Sequence, residues 1–246
     1  MLVSVIIPYF ENKKFISKTI NSVLNQSYKN LEIIIIFDEK NDFNYNFIKK
    51  FQLKDKRIKV FKNKQNIGAG FSRNVGINIS KGNYVCFIDS DDIWSKHKVK
   101  RQLTFMKKRN IEISHTSYFI INELGQKVSS RSARDMSYKD LINSCDVGLS
   151  TVMVKKKILK KKYLFPNLKT KEDYVLWLKL TKNGRKIFAI KEKLSFWRNK
   201  KNSLSSSTIQ KLKDAYKVYK DYEKLSLIDS LFKVINLSIN YLLKKI

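Results

Sequence analysis

Three carboxylates stand within four residues at Asp89-Ser90-Asp91-Asp92. Charges this close repel one another unless a cation or basic groups neutralise them. Mg²⁺ and Mn²⁺ prefer oxygen ligands and commonly take one or two protein carboxylates plus substrate phosphates. The run is therefore a candidate site for a divalent cation and a diphosphate. A plainer reading competes with it, because aspartates also sit well before a helix, and Trp94-Ser95 reads as the opening of one.

Other residues carry chemistry at recognisable spacings. The segment Asn66-Ile67-Gly68-Ala69-Gly70-Phe71-Ser72-Arg73-Asn74-Val75-Gly76 combines glycines, which allow a tight turn, with an arginine about one turn into the following helix. A guanidinium fork suits a phosphate or a base carbonyl. No Gly-Lys-Ser/Thr follows, and the dinucleotide glycine fingerprint does not fit either. Asp38 could accept a hydrogen bond from a nucleobase ring N–H, or end a strand as a turn residue. Phe10 could stack on a base or pack. Glu172-Asp173 opens a helix, where the dipole stabilises carboxylates; the alternative is a general base that takes the proton of an acceptor hydroxyl.

The elements that must position these residues read as alternating strands and helices. Apolar runs at 2–7, 31–37, 58–61 and 84–88 predict strands, the first ended by Pro8. Between them, 12–26, 43–51 and 69–79 carry helical spacing, and Ser95 is expected to cap a basic helix running to Lys108. Strands apolar throughout and separated by helices imply a parallel sheet covered on both faces. Ligands bind such sheets at the carboxyl ends of the strands, where Pro8, Asp38 and Asp89 all fall. The second half reads as strands at 113–121, 150–154, 186–190 and 194–197, with 122–137 a polar loop and a helix at 174–180. A basic run covers 155–162, a polar hinge 203–207, and 209–246 is helical, with Ile228, Leu231, Phe232, Ile235, Ile239 and Leu242 on one face.

In this order and spacing, five motifs resemble the family 2 glycosyltransferases of the GT-A fold. They are Ser4-Val5-Ile6-Ile7-Pro8, Glu32 to Asp38, Asn66-x-Gly68-x-x-x-Ser72-Arg73-Asn74-x-Gly76, Asp89-Ser90-Asp91-Asp92-x-Trp94 and Glu172-Asp173. Phe196-Trp197-Arg198 with Ser203-Leu204-Ser205 resembles the family's aromatic-Arg and Ser-x-Ser segment. The resemblance implies an α/β GT-A domain over 1–205, Rossmann-like with a mostly parallel sheet flanked by helices. Residues 1–110 would form the nucleotide-binding half, 111–205 the acceptor half, and 206–246 an amphipathic helical tail. It implies an inverting transfer of a sugar from a nucleotide diphosphate donor to a glycan or lipid-linked acceptor in cell-surface polysaccharide biosynthesis. Pro8, Phe10, Glu11, Asp38, Arg73, Asp89 and Ser90 would surround the donor, with Asp38 reading the base, commonly uracil. Asp91 would ligate Mg²⁺ or Mn²⁺, and Asp173 would be the base. Two departures stand out: Phe37 and Glu39 replace one aspartate and the glycine of the usual Asp-Asp-Gly-Ser, and Phe10-Glu11 replaces the usual Tyr-Asn.

The 246 residues suffice for one large α/β domain, and 51 Lys plus Arg against 21 Asp plus Glu give a net charge of +30. Such a field attracts polyanions: nucleic acid, an anionic membrane face or a phosphorylated substrate. Nucleic-acid-reading motifs are absent, and that partner leaves the carboxylates unexplained. A catalytically inactive relative kept as a membrane-associated scaffold is the other alternative. Cys86 and Cys145 have no metal-ligand spacing and suit reduced thiols in the cytoplasm. The N-terminus does not read as a signal peptide, and no apolar run reaches a membrane span. The expected location is cytoplasmic or peripheral on the inner face of the membrane. The tail suits either packing on the domain, through Tyr216, Tyr219 and Tyr222, or lying in a membrane interface.

Overall fold

The structure is a computed structural model that describes residues 1–161, 164–201 and 207–243. Strand β1 (Val3–Tyr9) lies between β2 (Leu31–Phe37) and β4 (Tyr84–Phe87), with β3 (Ile58–Lys62) outside β2; all these pairings are parallel. Helices α1 (Lys13–Leu24), α2 (Tyr45–Lys54) and α3 (Gly68–Ile79) make the crossovers.

The two-residue period of the strands splits the core into two layers. Val3, Val5 and Ile7 face one side with Ile16 and Ile20 of α1, Ile48 of α2, and Val99 and Met106 of α4 (Lys98–Lys108). Ile6, Val85 and Phe87 face the other with Ile77 of α3 and Trp177 of α6 (Glu172–Lys182). Burial on both faces explains why these strands read as unbroken apolar runs.

Beyond β4 the sheet becomes mixed. Strand β8 (Met153–Lys155) pairs antiparallel with β4 and with β6 (Ile113–Ile121). Strand β9 (Phe188–Arg198) runs parallel to β6, and β5 (Ile93–Trp94) closes the order β3-β2-β1-β4-β8-β6-β9-β5.

Several expectations need correction. Pro8 lies inside β1 and is buried, so the strand runs on to Tyr9. Residues 122–137 include a strand, β7 (Lys127–Arg131), a hairpin partner of β6. The two strands expected over 186–197 are one, whose register against β6 slips around Lys191-Glu192. Ser95 does not cap α4; the helix starts at Lys98, and the Ser95 carbonyl accepts the Lys98 N–H. Of the expected hinge, 203–206 lie outside the described residues, as does Lys162 of the basic run.

The C-terminal segment forms α7 (Thr208–Lys217), a π-helical turn over Val218–Tyr222 and α8 (Leu227–Leu243). Ala215, Val218, Tyr219 and Leu237 are buried in one cluster with Tyr174 and Trp177. The Tyr219 ring meets Tyr174 edge-on, with the hydroxyls 3.1 Å apart. Packing through the tyrosines is thus present. The apolar face expected for α8, however, points outward: Ile228, Leu231, Phe232, Ile235, Ile239 and Leu242 are all exposed.

Candidate active site

The parallel pairing of β2, β1 and β4 brings the segments after Tyr9, Phe37 and Phe87 to one rim of the sheet. Asn12 Nδ2 donates to Ser90 Oγ at 2.8 Å, tying the exit of β1 to the acidic run after β4. At the exit of β2, Asp38 is buried and turned toward the start of α3. Its Oδ1 accepts from Asn63 Nδ2 (2.7 Å) and the Ile67 N–H (3.0 Å), and its Oδ2 from the Gly68 N–H (2.8 Å). A carboxylate at a helix start satisfies orphan N–H groups and complements the dipole. Asp38 thus shapes the rim, with acceptor capacity remaining on Oδ2.

Glu39 stands where the family usually has glycine. It is buried and accepts the Glu11 N–H at 2.8 Å and Asn44 Nδ2 at 3.2 Å. Glu11 has a φ of 44°, a backbone region that costs a non-glycine residue energy, and this hydrogen bond holds it there. Burial and the nearby Glu39 charge raise the Tyr9 hydroxyl well above its usual range. Phe10 stays exposed at the rim.

The two terminal nitrogens of Arg73 hold carboxylates. Nη1 lies 2.6 Å from Glu172 Oε1 and Nη2 lies 2.8 Å from Asp89 Oδ1, with the side chain only 4% exposed. The guanidinium also lies over the Phe165 ring at 5.4 Å. Helix α3 approaches this side closely, since a Cβ on Gly70 would come within 3.1 Å of the Pro166 carbonyl and 3.2 Å of Glu172 Cγ. Asn74 clamps the same loop, donating to the Phe165 carbonyl and accepting its N–H.

The acidic run divides in two. The Asp89 carboxylate is partly exposed on the Arg73 side. Asp91 turns to Lys200, whose Nζ lies 2.5 Å from Oδ2, and its carboxyl is 14% exposed. Burial and the Asp89 charge raise the Asp91 carboxyl, against the pull of Lys200. Arg198 braces the turn, donating from Nε to the Asp91 carbonyl and from its backbone N–H to Asp92 Oδ1. Asp92 is fully buried, and among the described residues its Oδ2 has no hydrogen-bond partner. Burial, then Asp91 and Asp89, push it well above the carboxylate range. Among the described residues no three acidic, histidine or cysteine side chains converge as a ready-made metal cage, so the run could supply only one or two carboxylates to a hard divalent cation completed by substrate oxygens. Asp91, with Asp89 beside it, would hold that cation.

Asp173 sits in the first turn of α6, after Lys171 in a left-handed conformation (φ 63°). Its Oδ1 accepts the Tyr174 N–H at 2.8 Å. Burial and the neighbouring Glu172 push its carboxyl up to about 7, with Arg73 opposing. Glu172 is committed to Arg73, so Asp173 is the carboxylate of the pair left to exchange a proton near neutral pH.

Arg73, Asp89, Glu172 and Asp173 therefore form one electrostatic group, and Asp91, Asp92, Arg198 and Lys200 a second beside it. Ser90 is held by Asn12, and Pro8 lies buried within β1. Sequence reasoning missed Lys200, Asn12 and Glu39. Only Glu39 carried a signal, as the residue in a glycine's place. Cys86 is buried, which pushes its thiol up to about 11, and it takes no part.

A rim of carboxylates at the ends of parallel strands, continued by a mixed sheet, is the arrangement of a GT-A fold. The sequence model described as "Glycosyl transferase family 2" matches residues 4–165, and the chain belongs to that family. It is 34% identical over 223 residues to WfgD of Escherichia coli, a UDP-Glc:alpha-D-GlcNAc-diphosphoundecaprenol beta-1,3-glucosyltransferase, covering 90% of this chain and 86% of that protein. Among the solved structures that share the fold are the following two. S. aureus TarS 1-349 in complex with UDP-GlcNAc has a TM-score of 0.74 and 22% identity, over 95% of this chain and 70% of TarS. The mannosyltransferase PcManGT from Pyrobaculum calidifontis, in complex with GDP-Man and Mn²⁺, has a TM-score of 0.71 and 11% identity, over 94% and 69%.

Proposed function

We propose that this glycosyltransferase moves a sugar from a UDP-sugar to a hydroxyl of a lipid-linked glycan, with inversion, during assembly of a cell-surface polysaccharide. The UDP donor and lipid-diphosphate acceptor are supported by WfgD, and the cation by the Mn²⁺ complex of PcManGT. The observation that carries the reading is the contrast between the two carboxylates that open α6. Glu172 is bound to the Arg73 guanidinium at 2.6 Å, while Asp173, raised to about 7, is left to act as a base.

Asp173 takes the proton of the acceptor hydroxyl as its oxygen attacks the anomeric carbon. The bond from that carbon to the diphosphate oxygen breaks on the opposite face, so one displacement inverts the centre. Asp91, with Asp89 nearby, would hold a divalent cation, which when bound would supply Lewis-acid stabilisation of the charge on the leaving diphosphate. Arg73 keeps Asp89 oriented from below, and Arg198 fixes the turn that presents Asp91.

The test is transfer from a panel of UDP-sugars to a diphosphoundecaprenol-linked sugar, with Mn²⁺ or with EDTA, and the anomeric configuration of the product. Cation-dependent transfer that inverts the anomeric centre supports the proposal. Donor binding without any turnover would instead make the chain an inactive scaffold. A product with retained configuration would remove Asp173 as the base of a single displacement.

A further inference from the structure

Helix α8 is packed the wrong way round for a helix covering a soluble core. The side toward the body is mixed, with Val234 and Leu237 on the core cluster and polar groups beside them. Lys233 Nζ donates to Asn143 Oδ1 at 2.7 Å, and Asn240 Nδ2 donates to the Asn143 carbonyl at 2.9 Å. Ser230 and Leu237 are the buried residues of the helix. The apolar side faces outward, with Ile228 78% and Phe232 65% exposed. This stripe runs into a groove of about 1080 Å³ between α7 and α8, whose apolar lining includes Leu212, Leu231, Ile235 and Leu242.

The surroundings of the stripe are basic. Lys169, Lys213 and Lys217 border the groove and are exposed. Of the two acids there, Asp214 is buried and satisfied by Thr170 and Gln210, which leaves Asp221 against three lysines. Lys244 and Lys245 follow α8 in the sequence, and the whole chain carries +30. No described helix is long and apolar enough to cross a membrane. A helix with bulky apolar residues on its free side and lysines at its border suits the plane of a lipid interface, where anionic headgroups add attraction for each lysine. The alternative occupant, a second copy of this chain, would bring two strongly positive surfaces together.

We infer that the α7–α8 face docks on an anionic lipid bilayer, with the stripe Ile228, Leu231, Phe232, Ile235, Ile239 and Leu242 entering the headgroup boundary. The inference concerns the tail alone and stands whether or not the donor and base assignments hold.

The full chain is floated with vesicles of phosphatidylcholine alone or mixed with phosphatidylglycerol, at low and high salt. It is expected to float with the mixed vesicles at low salt and to lose most of that binding at high salt. The double variant Phe232→Asp, Ile235→Asp changes only exposed side chains, and its retained fold is checked by circular dichroism. It should lose flotation while transfer to a soluble acceptor is unchanged. Lys213→Glu with Lys217→Glu should weaken binding to the mixed vesicles by about tenfold or more. Flotation of the Phe232/Ile235 variant equal to that of the unsubstituted chain overturns the inference. So does a chain that ignores anionic vesicles and forms a dimer, seen by light scattering, that the same variant dissociates.

Discussion

Arg73 Nη1 and Glu172 Oε1, 99 residues apart in the chain, meet at 2.6 Å beneath the sheet rim, and Arg73 Nη2 reaches Asp89 at the same time. Removing one partner from a buried ion pair strands the others. Arg73→Ala leaves two carboxylates beside Asp173 without their cation, and should destabilise the protein by about 3–5 kcal/mol. Urea unfolding measures this. Adding Glu172→Gln should restore part of the loss, because a neutral amide can stay buried there without a counter-ion. If the double variant is no more stable than Arg73→Ala, the cost does not come from uncompensated charge.

The raised carboxyl of Asp173 links activity and stability to pH in opposite senses. As a base it must be ionised, so transfer should rise with pH through about 7. For folding, a carboxyl with a native value above its unfolded one contributes stability that is present at low pH and lost as pH rises through the native value. Asp173→Asn should therefore cut turnover by roughly 10²–10⁴-fold while raising the melting temperature at pH 8 relative to the parent. At pH 5 the two should melt much closer together. A variant that is slow but no more stable at pH 8 would point to a structural role.

Lys200 occupies Asp91 Oδ2 at 2.5 Å, where a divalent cation would bind. Lys200→Ala removes that competitor and should tighten Mn²⁺ binding without donor by about fivefold, roughly 1 kcal/mol for a partly buried pair. Asp91→Asn should abolish the rise in melting temperature that Mn²⁺ and a nucleoside diphosphate produce together. Titration calorimetry and thermal melts check both. Unchanged Mn²⁺ affinity in each variant would move the cation away from Asp91.

The parallel half of the sheet was legible because burial on both faces leaves strands such as Leu31–Phe37 apolar from end to end. Strand β7, Lys127-Val128-Ser129-Ser130-Arg131, was not, because it is largely exposed and its polar side chains read like a loop. The split of β9 into two arose at Lys191-Glu192, where the polar residues coincide with a slip in register. Within the site, the acidic run and Asp173 could be found from residue type and position. That Arg73 turns inward could not, because it depends on Glu172, brought in by a distant helix. Lys200 is one lysine in a lysine-rich chain and carries no local mark. For α8, periodicity identified the outward apolar stripe but not the side that packs, where Val234 and Leu237 meet the core beside Lys233 and Asn240.

Gly76 places α3, and with it Arg73, against β1. A Cβ at this position would lie 2.5 Å from Ile6 Cγ2 in the core, closer than van der Waals contact allows. Gly76→Ala should therefore push the helix away from the sheet at a cost of about 1–3 kcal/mol from overpacking, offset by up to about 1 kcal/mol from alanine's better helix propensity. The melting temperature should fall by a few degrees in a chain of this size. Arg73 lies one turn earlier on the same helix, so the shift should also loosen its hold on Asp89 and Glu172, and transfer should drop more than stability alone explains. Ile6→Ala in the same chain opens the space for the new methyl and should recover transfer, even though it removes core volume. Recovery by this second substitution would be hard to explain unless the α3–β1 approach sets the position of Arg73. If Gly76→Ala instead keeps full transfer while losing stability, the rim tolerates that movement and the helix spacing serves the core alone.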